Sequence, residues 1–445
     1  MTDLFCGAGG SSTGAVQVPG VEVRMAANHW ALAVETHNTN HPDADHACAD
    51  LSQVDPRLFP RTDILWASPE CTNHSVAKGV KRADTQPDLF GEVLPADAAE
   101  RSRATMWDVV RFAEHHKYRA VLVENVVDAW HWPPFQAWLM AMHSVGYEHQ
   151  LVFLNSMHAQ AEGLPAAQSR DRMYVSFWRK GDRKPDMEAM QRPTAHCDVC
   201  GEVRAMQAFK NPDKRWGRYR AQYLYRCPNV ACRNQVLEPD WLPASSIIDW
   251  TLEGKRIGDR AKPLAEKTLA RIQKGMDRYW GPLMVPVEGR DGKEAAPADR
   301  PLRTQTTRNE TGVAIAPFIA ELRGGGSTAR PVSDPLCTVT ASGTHHGLVV
   351  PYYGNGTARP MGRELPTVTT VDTHALALQG KSVSIDDVTF RMLEPHEIKS
   401  AMAFPAEYVI KGNKREQVRM SGNAVTPPAA RDLIAAVTRS LGVAA

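Results

Sequence analysis

The sequence predicts a doubly wound α/β domain that carries an inserted β-rich module. Three observations lead to this prediction. A glycine-rich turn follows the first apolar residues of the chain, and apolar runs of strand length then alternate with helical segments as far as Trp178. Beyond Trp178 the chain becomes polar, and two closely spaced cysteine pairs follow. We therefore expect a largely parallel sheet, interrupted along the chain by a module of different construction.

The composition of the 445-residue chain is that of an ordinary globular protein, with 43% hydrophobic and 23% charged residues. The formal net charge of +2 is close to neutral, so affinity for nucleic acid would have to come from local basic patches. The sequence shows neither an apolar run of about 18 residues nor the pattern of a signal peptide. Eight cysteines do not make a disulfide scaffold at this length, and four of them in a metal-like pattern indicate a reducing compartment.

The chain begins with a strand end, a glycine turn and a helix start within Met1–Gly14. Glycines let a backbone approach a ligand closely and adopt positive φ. A second predicted strand, Val21–Trp30, ends in a ring that could stack on a base, and Asp50 could accept a hydrogen bond from an exocyclic amine. Taken singly, the turn is weak evidence for a nucleotide-like ligand, Trp30 could be a surface aromatic, and Asp50 could cap a helix.

A candidate nucleophile follows a short apolar run that predicts a buried strand. Cys71 lies just past this strand, which is where an α/β enzyme places a nucleophile, although a lone cysteine can also be a small buried hydrophobic residue. A further strand, predicted at 120–126, contains Glu124 near its end, and Arg170 and Arg172 share one face of an extended segment. A salt-bridged or capping glutamate and a solvated charged edge are the alternatives for these residues.

Two cysteine pairs predict a metal site. Cys197 and Cys200 are separated by two residues, Cys227 and Cys232 by four, and 26 residues lie between the pairs. This spacing is typical of a tetrahedral zinc site of four thiolates, which is structural because it leaves no open position. Between the pairs, Lys210–Arg220 interleaves cations with aromatics, which suits phosphates and bases but equally fits a solvated face.

An imperfect repeat follows the cysteine pairs. Its members begin at Arg300, Asp334 and Glu364, at spacings of 34 and 30 residues, and each has a proline and a leucine before alternating threonines. This pattern predicts repeated short strands with glycine-rich turns over about 300–378. Such a β-rich module suits a recognition surface, and it is equally compatible with plain structural repetition.

Together these segments resemble the DNA cytosine-5 methyltransferase family, whose members use S-adenosylmethionine. The resemblance covers roughly residues 1–180 and 385–445, and the middle of the chain matches the family's variable target-recognition region by position alone. The matching motifs, which occur in the family's order, are Asp3–Gly10, Ser68–Cys71, Glu124–Val126, Gln168–Arg172, Arg391–Glu397 and Gly422–Val425.

The resemblance implies a division of the chain into three parts. Residues 1–185 would form a doubly wound, Rossmann-like methyltransferase domain. Residues 186–384 would form the target-recognition region, with the zinc ribbon at about 194–235 and the repeated strands at about 300–378. Residues 385–445 would complete the catalytic domain.

The resemblance also implies the residues of the site. Cys71 would be the thiolate that adds to carbon-6 of a flipped cytosine, and Glu124 would hold or protonate ring nitrogen-3. Arg172 would donate to the carbonyl oxygen at carbon-2, with Arg170 supporting it or contacting phosphate. The residues expected at the S-adenosylmethionine pocket are Phe5, Gly7, Ala8, Gly10, His29, Trp30, Asp50, Leu51, Pro69, Asn423 and Ala424.

Two positions depart from the family's pattern. The usual nucleophile motif is Pro-Cys, whereas Glu70 stands between Pro69 and Cys71 in this chain and could shift the thiol. The family commonly has an acid before the tryptophan that follows the second strand, to bind the ribose hydroxyls. This chain has His29 there, which can still form a hydrogen bond.

The resemblance implies sequence-specific methylation of double-stranded DNA by a monomer in the cytoplasm of a bacterial or phage-infected cell, as in restriction-modification. The structural Zn²⁺ is predicted separately, from the cysteine spacing. Two alternatives are an RNA cytosine-5 methyltransferase, since one relative methylates a tRNA, and an inactive DNA-binding protein in which Glu70 has disabled the thiol. The inserted cysteine module argues for DNA. The presence of Cys71, Glu124, Arg170 and Arg172 argues for activity.

Overall fold

A computed structural model gives the fold. It describes residues 1–69, 96–252, 254–266, 268–270, 272–273, 283–286, 296–297, 311–314, 318–321, 329–332, 334–338, 346–351 and 384–442, with the backbone alone at 96–104 and at most positions between 283 and 351. The chain divides into two compact units. The first comprises Met1–Ile247, Pro335–Gly343 and Pro395–Ala445, and the second comprises Ile248–Asp334 and Thr344–Glu394.

The described residues form helices, strands and short 3-10 turns. The helices are α1 Gly10–Ala15, α2 Ala31–Asn40, α3 Ala96–His116, α4 Phe135–Ser144, α5 Met187–Met190, α6 Pro395–Ala401, α7 Lys414–Asn423 and α8 Pro427–Ser440. The 3-10 turns are Pro56–Leu58, Val127–His131, Ser156–His158, Val230–Cys232, Ala244–Ile247 and Ile385–Asp387. The strands are β1 Thr2–Leu4, β2 Met25–Asn28, β3 Asp45–Cys48, β4 Ile64–Ala67, β5 Ala120–Asn125, β6 Tyr147–Asn155, β7 Gln168–Ser169, β8 Asp171–Arg179, β9 Thr194–Cys197, β10 Gly201–Arg204, β11 Met206–Phe209, β12 Tyr223–Arg226, β13 Val236–Leu237, β14 Lys255–Arg256, β15 Leu283–Pro286, β16 Ala296–Pro297, β17 Thr311–Ala314, β18 Phe318–Glu321, β19 Ala329–Pro331, β20 Leu336–Cys337, β21 His346–Pro351 and β22 Val388–Met392.

The first unit is built on a seven-stranded sheet with the order β3-β2-β1-β4-β5-β8-β6. The strands from β3 to β5 are parallel, and β8 is antiparallel to both of its neighbours. The order reverses between β1 and β4, because the chain first moves outward to β3 and then returns to the other side of β1. The prediction of a mixed α/β fold with a central parallel sheet is therefore confirmed.

The central strands are buried on both faces. Successive residues of β4 alternate between two hydrophobic clusters, so that Leu65 belongs to one cluster and Trp66 to the other. In β5, Val121 and Leu122 alternate in the same way. This burial explains why these strands have continuous apolar sequences instead of the alternating pattern of a half-exposed strand. Helix α8 covers one face with an apolar side that includes Leu433, Ile434 and Val437.

The cysteine-rich segment belongs to the first unit. It contains the hairpin β9–β10 and the small sheet β11-β12-β13. Its buried residues Ala195, Tyr223, Tyr225 and Leu237 are part of the same hydrophobic cluster as Val121 and Val123 of the main sheet. The segment therefore shares its core with the main sheet.

The second unit contains a five-stranded sheet with the order β14-β22-β21-β18-β19 and a three-stranded sheet with the order β16-β15-β17. Its described core includes Ile257, Ile272, Ala329, Val388 and Phe390. The repeat predicted over about 300–378 lies mostly outside the described residues, so it stays a prediction.

Of the helices that the structure describes, none combines the length and the apolar character that a membrane crossing requires.

His158 is a buried histidine at the boundary between the main sheet and the cysteine-rich segment. It is fully buried, and its ring meets the edges of Tyr219 and Tyr225 at centroid distances of 4.6 and 5.0 Å. Neither ring nitrogen has a hydrogen-bond partner among the residues that the structure describes. Burial lowers the pKa of His158 to about 3, helped by the positive charge of Arg220. The ring is therefore neutral in the folded protein at any pH near neutrality.

We expect the stability of His158→Phe relative to the wild type to increase as the pH falls. Between the unfolded pKa of about 6.5 and the folded pKa of about 3, the unfolded chain binds a proton at His158 that the folded chain does not. The wild type thus loses stability in this window as pH falls. The difference in the free energy of unfolding, wild type minus variant, should therefore fall by roughly 2 kcal/mol when the pH is lowered from 7.5 to 5. Denaturant unfolding at both pH values measures this difference.

The exposed His115 provides the matched control. His115→Phe makes the same replacement on the surface and should not reproduce the change. A difference between wild type and His158→Phe that is constant across the two pH values would contradict the proposed origin of the effect.

Candidate active site

Those residues predicted for the site that the structure describes lie around the carboxyl edge of the parallel strands. In the register of the sheet, Leu4 of β1 lies between Ala27 of β2 and Ala67 of β4, and Ala67 pairs with Val123 of β5. The segments that follow these positions must therefore lie side by side. In an open α/β sheet, the crevice beside the reversal of strand order is where ligands bind.

The turn after β1 keeps an open backbone surface at Gly7. Phe5, Gly7 and Gly9 have φ of 59, 52 and 85°, so the turn uses a conformation that favours glycine. Within the described part of the chain, a Cβ added to Gly7 would meet nothing within 4 Å, whereas one added to Gly10 would lie 1.9 Å from the carbonyl oxygen of Val425. Gly7 thus leaves room for a ligand, and Gly10 allows close packing of the chain.

The far side of the turn is held by residues that sequence reasoning missed. The Oγ atoms of Ser11 and Ser12 both donate to Asp3 Oδ2 at 2.6 Å. His37 Nε2 lies 2.9 Å from Ser12 Oγ, and His37 Nδ1 lies 2.8 Å from Nε2 of His46. Burial raises the pKa of Asp3 to about 6, although the two serine hydroxyls oppose this, and burial lowers the pKa of His37 to about 2. These contacts fix the first turn of α1 behind the glycines.

Ala8, at the tip of the turn, is fully buried, and its carbonyl oxygen accepts a hydrogen bond of 2.5 Å from the hydroxyl of Tyr408. Asn423 is the exposed last residue of α7, and Ala424 after it is buried. The C-terminal segment therefore packs directly against the turn that follows β1.

Trp30 immediately precedes α2 and lies two residues beyond the carboxyl end of β2. Its backbone N–H donates to Asn28 Oδ1 at 2.9 Å, and the guanidinium carbon of Arg419 lies 4.8 Å from its ring centroid. This cation–π contact covers part of the ring. His29 is exposed beside it, and its carbonyl oxygen lies 3.8 Å from Sγ of Cys48.

Asp50 and Leu51 follow β3 and have different environments. Asp50 is exposed and accepts hydrogen bonds from the N–H and hydroxyl of Ser52 at 3.0 and 2.8 Å. This local turn is close to the capping role considered from the sequence. Leu51 is buried, and its carbonyl oxygen accepts a hydrogen bond from Arg111. Asp50 is therefore at the predicted edge, with one carboxylate oxygen used locally.

Glu124 and Arg172 form an ion pair at the ends of β5 and β8. Glu124 pairs with Tyr174 in the antiparallel register, so Arg172, two residues before Tyr174, is its diagonal neighbour on the same face. Arg172 Nε lies 2.8 Å from Glu124 Oε1, and the two side chains are only 14% and 11% exposed. Arg172 Nη1 also donates to the carbonyl oxygen of Asp171 at 2.9 Å. A carboxylate and a guanidinium are thus held together, largely out of water.

Arg170 has different partners from Arg172. It lies at the break between β7 and β8, and only 2% of it is exposed. Its Nη2 donates to the carbonyl oxygens of Gly422 and Ala424 at 3.1 and 3.0 Å. This geometry fits the supporting role implied by the resemblance better than a phosphate contact, because the guanidinium is used to hold the α7–α8 junction.

The segment that leads to the predicted nucleophile is fixed at its start. Ser68 N–H donates to Leu4 O at 3.1 Å, and Trp66 Nε1 donates to Ser68 Oγ at 3.0 Å. Asn125 Nδ2 donates to the carbonyl oxygen of Pro69 at 3.4 Å. Pro69 is the last described residue here, so Glu70 and Cys71 lie outside the described residues.

The four cysteines predicted as metal ligands form one cluster. The Sγ atoms of Cys197, Cys200, Cys227 and Cys232 all lie within 4.8 Å of one another, and none is in a disulfide. A tetrahedral zinc ion with Zn–S bonds of about 2.3 Å would need sulfurs about 3.8 Å apart, so the cluster fits such an ion. Two of the four, Cys197 and Cys227, are fully buried.

Comparison with known proteins identifies the family. The C-5 cytosine-specific DNA methylase family matches residues 1–216 and 328–439, which is most of the chain. The chain belongs to this family. Dependence on S-adenosylmethionine follows from the family. The open side of Gly7 and the ring of Trp30, at one edge of the sheet, fit an adenosine-containing ligand.

Individual methylases show partial similarity. Type II methyltransferase M.SsoII of Shigella sonnei is 26% identical over 182 residues, which are 40% of this chain and 42% of that protein. Type II methyltransferase M1.ScrFI of Lactococcus lactis subsp. cremoris is 29% identical over 184 residues, with the same coverage of 40% and 42%. The chain thus spans less than half the length of these curated relatives. A mutant of Spodoptera frugiperda DNMT2 has a TM-score of 0.50 at 14% identity, with 98% of each chain covered, and this likeness shows the fold alone.

We expect Arg170→Ala to destabilise the protein by roughly 2–4 kcal/mol, because it leaves two buried carbonyl oxygens without their donor. The exposed Arg57, which contacts Asp55 at 2.6 Å, is the matched control, and Arg57→Ala should leave stability nearly unchanged. Denaturant unfolding of the three proteins measures the effect. An Arg170→Ala protein that unfolds at the same midpoint as the wild type would show that the guanidinium does not hold the α7–α8 junction.

Proposed function

We propose that this protein transfers a methyl group from S-adenosylmethionine to carbon-5 of cytosine in double-stranded DNA at a specific sequence. The observation that carries the proposal is the Glu124–Arg172 ion pair, held at the sheet edge where the family's cofactor turn and the start of its nucleophile motif also lie. The family of C-5 cytosine-specific DNA methylases and the similarity to Type II methyltransferases support DNA as the substrate.

The chemistry required explains these residue types. Carbon-5 of cytosine is a poor nucleophile until a thiolate adds to carbon-6 and makes the ring an enamine. In the proposed cycle, Cys71 forms this carbon–sulfur bond. Glu124 holds or protonates ring nitrogen-3, so that no full negative charge develops on the ring, and Arg172 donates to the oxygen at carbon-2. S-Adenosylmethionine supplies the electrophilic methyl group. A base then removes the proton from carbon-5, and the carbon–sulfur bond breaks to release Cys71.

The ion pair organises this polar surface before the substrate arrives. Glu124 engages Nε of Arg172, while Asp171 O engages Nη1, so the guanidinium plane has a defined orientation. Groups that are already oriented and shielded from water need little reorganisation during the reaction. The target base would have to leave the duplex to reach them, at a cost of a few kcal/mol.

We also propose that the cysteine cluster holds a structural zinc ion and that residues 186–384 contribute to target recognition. The cluster joins the β9–β10 hairpin to the segment after β12, and a bound ion would lock these two pieces together. Residues 217–327 of this region lie between the two parts of the chain that the family matches, and this position supports the recognition role.

The reaction is tested by transfer of labelled methyl from S-adenosylmethionine to duplex DNA and to tRNA, followed by base analysis. We expect label in 5-methylcytosine of DNA with the wild type. Cys71→Ser should lower the rate by roughly 10³-fold or more, and Glu124→Gln by roughly 10²- to 10⁴-fold. The exposed Cys48 gives a matched control, and Cys48→Ser should retain activity.

Other outcomes would change the proposed substrate, nucleophile or activity. Label in tRNA alone would make the enzyme an RNA methyltransferase. A Cys71→Ser protein that still methylates DNA would remove Cys71 as the nucleophile. Cofactor and DNA binding without transfer would indicate an inactive relative, and deletion of Glu70 would then test whether the extra residue disables the thiol.

Metal analysis tests the zinc proposal. We expect one zinc ion per chain in the purified protein, and Cys232→Ser should lose both the ion and thermal stability, because three thiolates hold zinc less tightly than four. Cys48→Ser again serves as the control. Well-folded wild type without zinc would refute this part of the proposal.

A further inference from the structure

A basic loop between the cysteine pairs is attached to the strand ends that carry the ion pair. We call Lys210–Gln222 the tethered loop. Its base is closed by a hydrogen bond of 2.8 Å from Lys210 N to Gln222 O. Near its tip, Gly217 has φ of 125°, and a Cβ there would lie 2.4 Å from the side chain of Gln222. The loop therefore has a defined, close-packed backbone.

Three contacts hold the loop against the catalytic edge. Arg218 Nη2 lies 2.6 Å from Asp128 Oδ2, and Tyr219 N–H donates to Asp171 Oδ1 at 3.0 Å. Asp128 lies four residues after Glu124 in the chain, and Asp171 immediately precedes Arg172. In addition, the ring of Trp216 meets His131 edge-on at 4.6 Å. The two strand ends that present the ion pair are therefore the same ones that anchor the loop.

The five cations of the loop fall into two groups. Arg218 and Arg220 form ion pairs with Asp128 and Glu238, and Lys210 Nζ donates to the carbonyl oxygen of Arg220 at 2.7 Å, so these three charges serve the structure. Lys214 and Arg215 at the tip are exposed, and neither forms an ion pair with any residue that the structure describes. A rigid, anchored segment thus presents two adjacent positive charges that the fold itself does not use.

We propose that the tethered loop is a phosphate-binding element, in which Lys214 and Arg215 contact the backbone of duplex DNA beside the target base. The inference rests on the proposed function and extends it to a specific contact surface. Exposed lysine and arginine side chains suit contacts to phosphates, whereas base readout relies on side chains that form bidentate hydrogen bonds to base edges within a groove. Anchoring to both strand ends explains how a phosphate contact would set the register of the DNA over the site.

The test compares the double variant Lys214→Gln, Arg215→Gln with a matched double variant, Arg183→Gln, Lys184→Gln. The control removes two exposed adjacent cations beyond Arg179, at the other end of β8. Binding of full-length protein to a fluorescent mixed-sequence duplex is measured by anisotropy over a salt series. The slope of log K against log salt should shrink by about 2 in the loop variant, since each phosphate contact contributes about 0.9. The control should keep the wild-type slope.

Kinetics give a second readout. With unmethylated genomic DNA as acceptor, the loop variant should show a raised KM for DNA, with kcat and S-adenosylmethionine affinity close to wild type. Equal salt slopes and equal KM values for the loop variant and the wild type would overturn the inference, as would failure of the wild type to bind duplex DNA.

The binding arm separates this inference from the proposed reaction. Anisotropy needs no methyl transfer, so a changed slope in a protein without activity would support the loop and reject the reaction. Normal methyl transfer with an unchanged salt slope in the loop variant would support the reaction and reject the phosphate-binding role of the loop.

Discussion

The site depends on the contact between the C-terminal segment and the first turn of the chain. The carbonyl oxygen of Val425 lies where a Cβ of Gly10 would be, the hydroxyl of Tyr408 donates to Ala8 O, and buried Arg170 donates to the carbonyl oxygens of Gly422 and Ala424. A buried guanidinium is costly unless its donors are satisfied, so these hydrogen bonds require one relative placement of the pieces. That placement also brings Asn423 to the edge where the cofactor turn lies.

Burial determines the pKa values of the ionisable groups behind the glycine turn. Asp3 is surrounded by the hydroxyls of Ser11 and Ser12, and the neutral ring of His37 continues the chain of contacts to His46. Burial disfavours charge on both kinds of group, which is why the pKa of Asp3 rises to about 6 while that of His37 falls to about 2. Near neutral pH the ring of His37 is therefore neutral, whereas Asp3 is mostly ionised and is stabilised by the two serine hydroxyls.

The cysteine-rich segment is coupled to the same edge by packing and by charge. Tyr223 and Tyr225 belong to the cluster that covers one face of the main sheet, and Arg218 and Tyr219 reach the residues next to the Glu124–Arg172 pair. A metal that fixed the two cysteine pairs would therefore also fix the base of a loop beside the site. The cysteine-rich segment and the main sheet share one hydrophobic core in this unit, which limits how far these two parts can move apart.

The sequence by itself determined the mixed α/β fold with its central parallel sheet, because apolar runs, glycine turns and motif order are local features. It also identified the four cysteines that cluster. Only the tertiary structure decided which side chains and backbone groups these residues contact. Arg170 and Arg172 are two residues apart, yet one holds the C-terminal segment and the other pairs with Glu124. Likewise, Arg419 lies over Trp30, which is far from it in the chain. Such contacts form between segments that are far apart in the sequence and pack together only in the folded protein. The local sequence pattern therefore carries no information about which side chains meet.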